Sequence, residues 1–160
     1  MDFAILARLS VMTSDASMQG KVFQIASPRY GNQPHLYVVV LEFSGNQDCI
    51  VVPAFSAEGY MVNRVIQARL DEGYRIDQVA VELDNVLHVR FVTQHSGKLA
   101  HWLVSDADRI PLSGLSAHVH VGAMDQDGLI AIARGLLNFA GTTERFSATV
   151  LKRLRKLAGE

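Results

Sequence analysis

The apolar positions of this chain fall into two rhythms. Short runs rich in valine, isoleucine and aromatic residues recur through its first three quarters, and stripes at helical spacing interrupt and follow them. KVFQIA (21–26), HLYVVVLEF (35–43) and CIVVPAF (49–55) have the β-branched and aromatic content of strands. SPRYGNQP (27–34) carries Pro, Gly and Asn and predicts a loop, whereas SGNQD (44–48) predicts a hairpin turn. RIDQVAVEL and VLHVRFV read as a second hairpin turning at Asp84-Asn85. LAHWLV, DRIPL and AHVHVG (117–122) read as further strands.

Four segments have helical spacing. Asp2 is placed to cap a short helix with Phe3, Leu6, Ala7 and Val11 on one face. In AEGYMVNRVIQARLDEGY, Val62, Val65, Ile66 and Leu70 share a face that ends at Gly73, which predicts a helix of about three turns over 59–72, outside the strand order. Asp125 caps a helix lined by Leu129, Ile132, Leu136 and Phe139 and stopped by Gly141. In ERFSATVLKRLRKLAG, Phe146, Val150, Leu154 and Leu157 face inward, and Arg145, Lys152, Arg153, Arg155 and Lys156 face outward.

Sequential strands joined by hairpins, with helices inserted or appended, predict an α+β domain around a small curved antiparallel sheet or barrel rather than a parallel βαβ fold. One sheet is expected to take in residues 20–56 and 86–122. The chain reads as one domain over 1–160. It has a helical extension at 1–19, a barrel core at 20–140 with a helical insertion near 57–73, and a C-terminal helix at 143–160.

Composition narrows the function classes. A formal net charge of -1 over 160 residues gives no global attraction to nucleic acid, so any phosphate contact must come from a local patch. The single cysteine, Cys49, rules out an internal disulfide framework and fits a reducing compartment; beside IVVPAF it is expected to be buried and inert. MDFAILARLSVM lacks the basic start of a signal peptide and is interrupted by Arg8. No run approaches the ~18 uninterrupted apolar residues of a membrane span. A soluble, cytoplasmic protein without membrane contact is expected.

Several residues carry candidate chemistry. His35 stands at the mouth of a strand, where its unperturbed pKa of about 6.5 suits proton transfer at neutral pH or marks only an edge histidine. Arg29 offers a fork of donors to phosphate or is a solvated loop charge, and Ser56 orients a phosphate or simply forms a turn. In a strand His118 and His120 would share a face, with His95, His101 or Asp125 placed to complete a metal site. The sequence guarantees two ligands where three or four are needed, so a surface histidine pair is the default and no metal or cofactor is expected. The basic stripe Lys152, Arg153, Arg155 and Lys156 is a phosphate contact or a solvated helix face, and Trp102 a base-stacking platform or core.

Three segments together, GKVFQIASPRYGNQPHLYVVV, IVVPAFS and HWLVSDADRIPLSGLSAHVHVGAMDQDGLIAIARGLLNF, resemble the PemK/MazF-like ribonuclease toxins over about half the chain, residues 20–56 and roughly 99–140. The shared features are a Gly-led strand, a Gly-containing loop, a basic residue before a valine-rich strand, and a following strand that ends in a hydroxyl residue. A D-x-x-R-x-I-like stretch (Asp106 to Ile110) and a short link to the last helix of the pattern (Gly122 to Leu129) complete them. The resemblance implies an SH3-like barrel that cleaves RNA without metal, a homodimer, and an antitoxin as protein partner. Carried over, the basic position falls on His35, where many members have arginine, and the hydroxyl on Ser56; Arg29, His35 and Ser56 would then be catalytic. Arg29, Tyr30, Asn32 and Gln33 lie in the loop that borders the RNA groove in relatives. Two other readings stand beside it: a non-catalytic barrel used as a protein- or nucleic-acid-binding module, and a metal-dependent enzyme using His118 and His120.

Overall fold

The structure, a computed structural model, describes residues 17–43, 45, 47–56, 60–92 and 99–160. The helix expected from Asp2, and His95, lie outside them. In chain order the elements are β1 (Lys21–Ala26), β2 (Pro34–Phe43), β3 (Asp48–Ser56), α1 (Tyr60–Asp71), α2 (Ile76–Val79), β4 (Val81–Asp84), α3 (Asn85–His88), β5 (Val89–Phe91), β6 (Leu99–Trp102), β7 (Asp108–Pro111), β8 (Val119–Met124), α4 (Gln126–Thr143) and α5 (Ala148–Leu157).

The strands form one eight-stranded sheet in the order β4-β6-β3-β2-β1-β8-β5, with β7 also paired to β3. Every pairing is antiparallel. The two ends of this order, β4 and β5, are joined by the single helical turn α3, so the sheet must curl back on itself. The result is an α+β fold around a curled half-barrel. β2 and β3 pair antiparallel up to Phe43 opposite Asp48, as expected of strands joined by a hairpin, and α1 lies outside the strand order.

Alternation along β2 explains its unbroken apolar run. Val38 and Val40 join Val22, Val52 and Trp102 on the face covered by Leu129, Ile132 and Leu136 of α4 and Leu154 of α5. Tyr37 and Val39 join Phe23, Ile25, Val51 and Phe55 on the other face, against Ile66 of α1 and Val79 of α2. Both faces are covered, so neither parity is polar.

Three expectations are corrected. Asp84-Asn85 does not turn a hairpin: Asp84 Oδ1 accepts from Val86 N (2.9 Å) and caps α3, so β4 goes to β6 while β5 goes to β8. Asn85 is itself needed inside, where its Oδ1 accepts from the indole N–H of Trp102 (3.1 Å). Gly141 does not stop α4, which runs on to Thr143 and ends where Glu144 takes φ 50°. The last helix begins only at Ala148, capped by Ser147, because Arg145 is drawn away to the backbone carbonyls of Ser105 and Ala107.

Candidate functional site

The loop before β2 is built by local chemistry. Ser27 Oγ accepts from Arg29 N (3.3 Å), Pro28 opens a short 3-10 turn, and Gly31 at φ 68° closes it in the left-handed region. This turn points Tyr30 inward, where it is 3% exposed, and leaves Arg29, Asn32 and Gln33 on the surface. Pro34, which has no N–H to give a ladder, starts β2, and His35 follows it.

His35 is half-buried. Its ring packs on Phe55 (centroids 4.2 Å) and makes a T-shaped contact with Tyr30 (5.5 Å). Nε2 is shut in with no hydrogen-bond partner. Burial lowers the imidazole pKa, so the ring is neutral at pH 7. Register sets Leu36 opposite Ala54, and β3 ends two residues on at the exposed Ser56. His35 and Ser56 therefore line one open groove of about 260 Å³, together with Gln24, Asn85 and Leu99.

Arg29 does not line that groove. Its guanidinium carbon is 5.9 Å from the Tyr30 ring, and Nη1 donates to the backbone carbonyl of Asp106 (3.2 Å). Tyr30 is no surface contact either: its hydroxyl donates to Asp106 Oδ2 at 2.6 Å in the interior, and burial followed by Asp106 pushes its pKa far above the usual phenol range. The expected trio is thus two residues in a groove and a third outside its lining.

His118, in extended backbone just before β8, lines a cavity with Ile25, Tyr37 and Asp108, on the sheet face that also carries Phe23. His120 packs on Phe23 (5.3 Å), and its Nε2 lies 2.9 Å from the carbonyl of Gly122. Among the described residues no group of three His, Cys, Asp or Glu is placed to hold a metal ion. Trp102 is fully buried core. In the basic stripe Arg153 is partly engaged, stacked over Phe43 (4.8 Å), while Lys152, Arg155 and Lys156 are exposed. No helix among the described residues is long and apolar enough to cross a membrane.

Sequence reasoning missed the buried Asp106. Its carboxylate gathers Tyr30, Ser105 Oγ (3.2 Å) and Arg69 Nη2 (3.3 Å) from three parts of the chain. The sequence marked Asp106 as the start of the stretch Asp106 to Ile110, but nothing in the spacing joins it to Tyr30 or Arg69. A scan against protein-family models finds no match, and a search of the curated proteins returns none.

Proposed function

We propose that this chain is a PemK/MazF-like half-barrel that cleaves RNA without a metal. The observation that carries this reading is the groove in which a neutral His35 and the hydroxyl of Ser56 stand together at the open end of β2 and β3. In the proposed reaction His35 takes the proton of a ribose 2′-hydroxyl, whose oxygen attacks the adjacent phosphorus. The P–O5′ bond breaks, and the leaving 5′-oxygen receives a proton from the imidazolium or from water. The products are a 2′,3′-cyclic phosphate and a 5′-hydroxyl end. Ser56 donates to a non-bridging phosphate oxygen, and Arg29, outside the groove's lining, attracts a flanking phosphate rather than the reacting one. An antitoxin and a second copy of the chain are the partners this reading implies. Incubating purified protein with mixed-sequence RNA in EDTA tests it: cyclic-phosphate ends that disappear in His35→Ala support it, and uncut RNA overturns it.

One observation favours a second reading, a protein-binding module. The α3 turn and the β6 residue opposite Asp84 expose Val86 (66%), Leu87 (72%) and Leu99 (45%), and Leu99 also lines the groove. Uncut RNA together with a partner whose capture is lost in Leu87→Asp would establish it.

A further inference from the structure

A second cleft, of about 510 Å³, opens between the turn at 28–31 and α1. Arg29, Arg64 and Arg69 line it, with Asp106 as the lining carboxylate and Val65 and Ala68 as apolar wall. Three arginines stand against Asp106 and against Glu72, which pairs with Arg69, so the arginines outnumber the carboxylates beside them on a chain whose formal net charge is -1.

Asp106 offsets part of that charge but offers a ligand no repelling surface acceptor: it is 4% exposed, and its oxygens are occupied by Tyr30, Ser105 and Arg69. Its role is to hold the wall in place. Arg29 is fixed by the Asp106 carbonyl, and Arg69 is fixed between Asp106 Oδ1 (3.3 Å) and Glu72 (3.2 Å). These bonds use part of each five-donor fork and orient the planes, so little side-chain freedom remains to be lost on binding.

We propose that this cleft binds a phosphate-bearing ligand, its phosphate seated against Arg29, Arg64 and Arg69. Forked guanidinium donors match the oxygens of a phosphate, and the volume lies within the range of small-ligand pockets. Val65 and Ala68 give the remainder of the ligand an apolar surface. The phosphate comes from a free nucleotide or from the backbone of a nucleic-acid strand. The site stands whether or not the chain cleaves RNA, because its walls exclude His35 and Ser56.

Calorimetric titration of the full chain at ~0.1 M salt, where surface charges are already screened, tests the site. The probes are inorganic pyrophosphate, adenosine 5′-monophosphate and a short 2′-O-methyl RNA that cannot be cleaved through its 2′ position. At least one probe is expected to bind, and Arg29→Gln and Arg64→Gln are each expected to weaken it by about tenfold or more. Lys152→Gln with Arg155→Gln, remote from the cleft, should leave affinity within about twofold. Binding of pyrophosphate or nucleotide identifies a free ligand, and binding of the RNA alone identifies a strand. The proposal is overturned if no probe binds, if either arginine variant binds like the wild type, or if the remote pair weakens binding as much as the cleft variants do.

Discussion

Tyr30 and Asp106, 76 residues apart in sequence, meet in the interior through a 2.6 Å hydrogen bond from the phenol to a carboxylate oxygen. The bond ties the loop before β2 to the segment before β7. The groove of His35 and Ser56 and the arginine cleft share no lining residue, and Tyr30 and Asp106 belong to the second. A buried carboxylate is tolerated only with donors around it, so this pair is structural before it is anything else.

Tyr30→Phe should therefore destabilise the fold by about 1–3 kcal/mol, since it removes a donor from a buried acceptor without opening a cavity. Denaturant midpoints at pH 7 would measure it. A loss near zero would mean that Arg69 and Ser105 satisfy Asp106 unaided.

Cys49 is fully buried, and burial first, with Glu42 and Asp48 adding, pushes its thiol pKa up to about 11. A thiol-specific reagent at pH 8 should leave the native protein unlabelled and should modify it stoichiometrically in denaturant. Fast native labelling would contradict the position of β3.

Gly122 lies where β8 meets β5: a methyl group built there would stand 2.8 Å from the backbone carbonyl of Arg90. Backbone cannot swing aside as a long side chain does. Gly122→Ala should lower the melting temperature by several degrees, corresponding to about 1–3 kcal/mol, whereas Gly114→Ala, with open space around it, should cost far less.

What could be read from the sequence follows from the range of the physics involved. The runs Lys21–Ala26 and Pro34–Phe43, the hairpin at 44–48 and the caps at Asp125 are local signals, carried by β-branched content or a single side-chain oxygen. Asp84-Asn85 misled because Asx residues serve hairpin turns and helix caps alike, and only the partner Trp102 decides between them. The pairing of His35 with Ser56 was legible because both sit at ends of adjacent strands. The displacement of Arg29 was not, since it depends on a buried acceptor at Asp106. The arginine cleft needs α1 packed beside the turn at 28–31, a tertiary fact that no spacing encodes.

Burial lowers the pKa of His35 below its ordinary value of about 6.5, which fixes the sign of a stability effect. The unfolded chain binds that proton more readily than the folded one, so the contribution is complete above about pH 6.5 and is lost as pH falls through the folded pKa. Thermal unfolding between about pH 5 and pH 8 should show wild type losing stability toward acid more steeply than His35→Phe. Equal slopes would mean that the imidazole titrates as in water.

The same neutral ring sets the expectations for RNA cleavage. As a base on the reacting hydroxyl, His35 should contribute roughly 100-fold or more, and His35→Ala should lose that factor with folding preserved, because the residue is only half-buried at a strand start. Ser56→Ala should be milder, since it removes one neutral donor to phosphate. Arg29→Ala should act differently: because Arg29 does not line the groove, its loss should weaken RNA affinity and flatten the salt dependence of binding by about one counterion while leaving single-turnover cleavage at saturating RNA nearly unchanged. The acid limb of the rate profile should fall below pH 6.5, because a base whose pKa is lowered stays competent at lower pH than a free imidazole. If Arg29→Ala instead abolishes single-turnover cleavage as thoroughly as His35→Ala, the loop must rearrange on binding to bring all three residues to one phosphate. If wild type leaves RNA intact in EDTA, the groove is a docking surface whose apolar rim, Leu87 and Leu99, is the part to mutate next.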